Sequence, residues 1–135
     1  MRKRLLQKIE SSNARKIIID GHYGPSVVPK TLVVRAFVIR REPTELRRLM
    51  EKRHFSADKA QENLASEILD VCLFEALGAL GGGRVCEIDA TGKSTEAVVG
   101  EMLSILDGRE KCRVGVVDWL GRLESQGILD EFIKS

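Results

Sequence analysis

Aromatic residues are scarce in this chain: four Phe, one Trp and one Tyr among 135 residues. So thin a set offers no platform on which successive bases could stack, which weakens any nucleic-acid signal. The core must then be built mainly from Leu, Ile, Val and Ala. Cysteine is limited to Cys72, Cys86 and Cys112, an odd number at wide spacings with no paired metal-ligand pattern. Cys72 lies in an apolar helical pattern and Cys86 in a strand pattern, so both read as small buried hydrophobes. No metal-ligand set is expected among them. Long hydrophobic runs are missing too, so no membrane-spanning segment is expected. The basic stretch 1–16 is followed by no signal-type apolar core, and a reducing cytoplasm is the expected compartment.

What is present fits one domain, with 43% hydrophobic and 31% charged residues. The net charge of +2 hides an uneven layout. Residues 1–16 hold Arg2, Lys3, Arg4, Lys8, Arg15 and Lys16 against Glu10 alone. Residues 118–131 hold Asp118, Glu124, Asp130 and Glu131 against Arg122 alone. The two ends could meet each other, or the basic end could meet phosphate.

The stretch from Arg15 to Arg41 carries the chemistry. Ile17, Ile18 and Ile19 form a β-branched run too short for a helix, which reads as a strand buried on both faces. It ends in Asp20, Gly21 and His22. A second strand spans 33–41 and ends in Arg40 and Arg41. In open α/β sheets, ligands bind beyond the carboxyl ends of the strands. If the two strands are parallel, Asp20, His22 and Arg40 share one edge. The opposing reading is a common Asp-Gly turn, a solvated histidine and a strand end emerging into water.

Elsewhere the pattern alternates helix and strand. Leu5, Leu6 and Ile9 place a short helix over 1–10. Glu42-Pro43-Thr44-Glu45 starts another, rich in Arg47, Arg48, Lys52 and Arg53. Ser56 caps a long helix to about Leu80, ended by Gly81-Gly82-Gly83. Residues 84–90 read as a strand. Ser94 caps a helix whose buried side is Val98, Val99, Met102, Leu103, Ile105 and Leu106. From Val114 the apolar positions predict an amphipathic helical tail, interrupted near Gly127, that packs back on the domain or holds a partner. The division is residues 1–110 as an α/β domain and 111–135 as the tail. A three-layer α/β fold follows, because parallel strands need helical crossovers.

Thr91-Gly92-Lys93-Ser94-Thr95 has the end of a phosphate-binding P-loop but not its start. The motif needs a glycine five positions before Gly92, and Glu87 stands there, inside the strand.

Ile-Ile-Ile-Asp-Gly-His at 17–22, Pro29 and Val-Ile-Arg-Arg-Glu-Pro-Thr-Glu-Leu at 38–46 resemble archaeal nucleotide kinases. So do Arg48-Leu49, Arg53, Glu62-Asn63, residues 67–71, Glu-Ile-Asp-Ala-Thr-Gly at 87–92 and the Val-Asp-Trp-Leu of 117–120. The chain is similar to the adenylate kinase isoenzyme 6 family, P-loop ATPases and adenylate kinases linked to small ribosomal subunit assembly. The resemblance implies a three-layer P-loop-kinase-like parallel sheet flanked by helices. Family members begin with a strand, P-loop and helix that would precede Met1, so the first, central strand and the P-loop are expected to be missing from these residues.

The resemblance also implies roles. Asp20 and His22 match an Asp-x-His motif near metal and phosphates, and Arg40 the arginine ending the next strand. Arg48, Lys52 and Arg53 fall on a lid segment at about 47–62, where the family has Arg-Gly-Tyr against Arg53-His54-Phe55 here. Ala90, Thr91 and Gly92 match the loop beside the adenine. The implied catalytic residues are Asp20, His22, Arg40 and Arg53. The implied nucleotide contacts are Arg48, Lys52, Ala90, Thr91 and Gly92, with Mg and ATP as cofactors, ATP and AMP as small-molecule partners, and chemistry of the ATP and AMP type. No residue stands in for the P-loop lysine, so this bare chain is expected to be inactive in phosphoryl transfer. The alternative is a non-catalytic ribosome-assembly-type protein that binds ribosomal protein or rRNA. An open sheet edge would favour a homo-oligomer or a complementing subunit.

Overall fold

The computed structural model describes residues 2–12, 16–21 and 27–133. Helix α1 spans Arg2–Ser11, with Leu5 and Ile9 half-buried while Lys3, Arg4 and Lys8 are exposed. A 3-10 turn at Lys30–Leu32 precedes strand β1, Ala36–Arg40. Three helices follow: α2 at Pro43–Lys52, α3 at Ala57–Ile68 and α4 at Val71–Leu80. Strand β2 is Val85–Asp89, helix α5 Thr95–Leu106 and helix α6 Trp119–Ser125. A last 3-10 turn covers Leu129–Glu131.

The helix starts form for local reasons. The Glu42 carboxylate accepts from the Thr44 and Glu45 amides at the head of α2, with Pro43 in the first turn. Ser56 Oγ accepts from Lys59 N and Ser94 Oγ from Ala97 N, capping α3 and α5.

The strands pair in parallel, from Ala36 opposite Val85 to Arg40 opposite Asp89. Helices α2, α3 and α4 form the crossover. One face of the sheet packs Val38 and Val85 against Leu73, Ala76 and Leu80 of α4. The other packs Cys86 and Ile88 against Ile105 of α5. Three layers result, as expected. A separate cluster joins Met50, Leu64 and Ile68 of α2 and α3 to Trp119, Leu123 and Phe132. The stretch from Trp119 onward thus packs back on the helices.

The run Ile17–Ile19 is not a strand. It has no strand partner among the described residues, and Ile18 is 94% exposed, Ile17 44% and Ile19 39%. A β-branched run gains its stability from ladder bonds and cover, and here it has neither. The open edge of β1 shows where partners are lacking. Ala36 N donates to Arg84 O at one end of the ladder, and Ala90 N to Arg40 O at the other. Bonding residues alternate along a strand, so Phe37 and Ile39 turn their amides and carbonyls to the opposite edge. No described strand pairs there.

The long helix expected from Ser56 to Leu80 is two helices. Asp70 sits in the left-handed region at φ 58° and breaks it, and its carboxylate is drawn to Arg40. The expected buried side of α5 is also reduced. Ile105 is buried, whereas Val99, Leu103 and Leu106 are exposed, because the sheet beneath α5 offers, among the described residues, two strands to cover. Finally, Cys86 is buried as expected but is not merely a hydrophobe: it forms a disulfide with Cys112, a partner 26 residues away that no spacing rule singles out.

Candidate functional site

The carboxyl ends of β1 and β2 meet the turn Ala90–Lys93 and the start of α2. The turn is tied at each position. Ala90 N donates to Arg40 O at 2.7 Å, joining the two strand ends. Thr91 N and Thr91 Oγ1 donate to Asp89 Oδ1 at 3.0 and 2.6 Å. The Glu42 amide donates to Thr91 Oγ1 at 2.8 Å. Gly92, at φ 68°, holds a conformation that a side chain resists. Its amide donates to Glu45 Oε2 at 3.0 Å. Glu45 also pairs with the Arg41 guanidinium, and it lines a shallow depression with Arg48, Leu49, Glu51 and Lys52. Burial would raise the Glu42 carboxyl, but the amides of Thr44 and Glu45, the Thr44 hydroxyl and the charge of Arg122 hold it below the usual carboxylate range.

Ala90, Thr91 and Gly92 therefore follow the strand end beside the Arg40 carbonyl, and Arg48 and Lys52 line the depression that Glu45 shares. Asp20 is exposed and outside any strand, and Arg53 is an exposed residue ending α2. His22 lies outside the described residues.

Arg40 has a different surrounding from an open phosphate clamp. Its side chain is buried, and three carboxylates close on it. Nε donates to Glu67 Oε2 at 2.7 Å, and Nη1 to Glu87 Oε2 at 2.6 Å. Nη2 donates to Asp70 Oδ1 at 2.5 Å and to Glu67 O at 2.7 Å. Four of its five N–H bonds are thus engaged. Burial alone would lower its basicity, but Asp70, Glu67 and Glu87 raise it further, so the guanidinium stays charged. The network extends outward. Trp119 Nε1 donates to Glu67 Oε2 at 2.8 Å, while Gly115 N and Val116 N donate to Glu87 Oε1 at 2.5 and 3.3 Å. Arg40 joins the sheet to α3, α4 and the start of α6.

Glu67, Asp70, Glu87, Glu42 and Glu45 were not among the residues singled out for roles. One signal existed for Glu87: a carboxylate inside an apolar strand is costly unless a cation meets it.

The fold and the site define an α/β protein whose polar groups gather beyond the carboxyl ends of a parallel sheet. No protein-family model matches the chain. It is 39% identical over 110 residues to a protein of Thermococcus onnurineus named "Putative adenylate kinase", covering 82% of this chain and 58% of the relative. A protein of the same name from Pyrococcus furiosus is 38% identical over 105 residues, covering 78% and 55%. One from Archaeoglobus fulgidus is 36% identical over 121 residues, covering 87% and 64%. The chain belongs to this adenylate kinase-like nucleotide kinase family, as its motifs led us to expect. It spans less than two thirds of the length of these relatives.

Proposed function

We propose that this chain is the part of an adenylate kinase-like phosphotransferase that seats the nucleotide, acting in ATP and AMP type chemistry. The observation that carries it is the tied turn Ala90–Gly92 against Arg40, Glu42 and Glu45. In this reading the turn holds the base, and exposed Arg48, Lys52 and Arg53 close on phosphate as a lid over residues 47–62. Arg40 is a positioning residue: it fixes the strand end from which Arg41 and Glu42 project. Asp20 and His22 complete the phosphate side.

These 135 residues contain no complete P-loop. Phosphoryl transfer depends on that cradle of amides and its lysine, so the chain alone is proposed to bind nucleotide without useful turnover. Mg would accompany ATP as substrate. The described residues form no group of three or more metal-binding side chains, and Asp89 and Glu42 already accept hydrogen bonds from the chain. They do not fit a protein-built magnesium cage.

The test is titration with a fluorescent ATP analogue, paired with a phosphoryl-transfer assay. Saturable binding that Gly92→Ala weakens severalfold, without turnover, supports the reading. The absence of binding by the folded chain overturns it.

A second reading has one observation in its favour: Lys3, Arg4 and Lys8 are exposed on one short helix. A non-catalytic protein contacting ribosomal protein or rRNA would use them. RNA binding that weakens steeply with salt, and that Lys3→Glu with Lys8→Glu abolishes, would favour it.

A further inference from the structure

We infer that the Cys86–Cys112 disulfide is a reversible redox latch that sets the order of the turn Ala90–Lys93. The link between this latch and nucleotide affinity rests on the reading above.

The bond closes a segment that contains the turn and the whole of α5, with a Cα separation of 5.0 Å at its ends. What else holds that segment is slight. Only Ile105 of α5 is buried, while Val99, Leu103 and Leu106 face solvent. The turn has its own ties to Glu42 and Glu45 on one side. On the other, it depends on α5 staying against β2. Cys112 supplies that anchor. Beside it, Glu87 N donates to Arg113 O at 2.7 Å, and Gly115 N donates to Glu87 Oε1. The same return segment therefore reaches Glu87 and, through it, Arg40. Breaking the bond leaves α5 held only by Ile105 and the half-buried Val98 and Met102, and loosens the far end of the turn.

The sulfurs differ in access. Cys86 is fully buried among Ile88, Ile105 and their neighbours, whereas Cys112 is only partly buried. A dithiol reductant would attack Cys112 Sγ as its thiolate, expelling Cys86 as the leaving thiolate, which then takes a proton. The second thiol of the reductant closes on its own sulfur and releases Cys112. The protein gains two electrons and two protons, and the dithiol leaves as a cyclic disulfide. Reoxidation runs the exchange in reverse with an oxidised dithiol.

The experiment uses the full chain carrying Cys72→Ser, which leaves one redox couple. Amide hydrogen exchange is followed in oxidised protein, in protein reduced with dithiothreitol, and after reoxidation with its cyclic disulfide. Reduction is expected to speed exchange at Thr91, Gly92 and Lys93 and along α5 at least about tenfold more than in α2 and α3, and reoxidation to restore protection. Cys112→Ser should exchange at the reduced rate with or without reductant. If that variant does not fold, the reduced and oxidised forms of the parent decide alone. Unchanged exchange overturns the latch, and so does alkylation of both sulfurs before reduction. A uniform rise across every helix also overturns it, since the bond would then be a staple of the whole fold. The fluorescent ATP analogue separates the two ideas. Severalfold weaker binding on reduction supports both. No binding in either state removes the nucleotide reading, while the exchange rates still judge the latch.

Discussion

Arg40 is where residue-scale chemistry has the largest consequence. A buried guanidinium between three carboxylates is tolerated only while all partners are present. Arg40→Met should cost about 3–5 kcal/mol in chemical denaturation, because it leaves the fully buried Glu87 without its cation. The lone Trp119 donates to Glu67, so its emission should shift in any folded remnant. Glu42 tests charge in the opposite direction. Its folded carboxyl lies below its ordinary value, so the stability it adds is present above that value and lost as pH falls through the lowered one. Glu42→Gln should flatten that part of the stability curve against pH, and Glu42→Ala should cost about 1 kcal/mol as a lost cap. His54 holds φ 59° directly after α2. Glycine holds that left-handed position at no steric cost, so His54→Gly should raise stability by up to about 1 kcal/mol in thermal melts.

Among the elements, α5 and its return segment depend on one covalent link more than on packing. Closing a loop of this length restricts the unfolded chain by about 3–4 kcal/mol in the chain-entropy description. Reduction should therefore lower the denaturation midpoint clearly, and Cys86→Ser with Cys112→Ser should reproduce the loss without reductant. The elements that were legible beforehand share a feature. Glu42, Ser56 and Ser94 mark helix starts through bonds to residues within three positions. Both strands around Val38 and Cys86 are short apolar runs bounded by charge or glycine. The break at Asp70 was hidden because its cause is Arg40, 30 residues earlier in the chain.

At the scale of the whole molecule, the sheet has, among the described residues, one covered edge and one open edge. Beyond β2, the Glu87 amide already meets Arg113. Beyond β1, no described strand meets the ladder groups of Phe37 and Ile39, which lie beside exposed apolar side chains, and such an edge invites association. Ile39→Lys should reduce concentration-dependent association in sedimentation velocity. It should change stability little, because the Ile39 side chain is 44% exposed. The chain shows no helix, among the described residues, long and apolar enough to cross a membrane.

The sequence by itself determined the capped helix starts, the places of the strands around Val38 and Cys86, the α/β class and the family, since each of these rests on local periodicity or on motifs read in order. Tertiary structure alone decided which charges meet. Arg40 found Glu67, Asp70 and Glu87 across 27, 30 and 47 positions, and Cys86 found Cys112 across 26. It also decided that Ile17–Ile19, strand-like in isolation, stays uncovered. The physical reason is the same in each case. Helix caps and apolar periods are satisfied within a few residues, whereas a ladder bond, a buried ion pair or a disulfide needs a partner that only folding brings near.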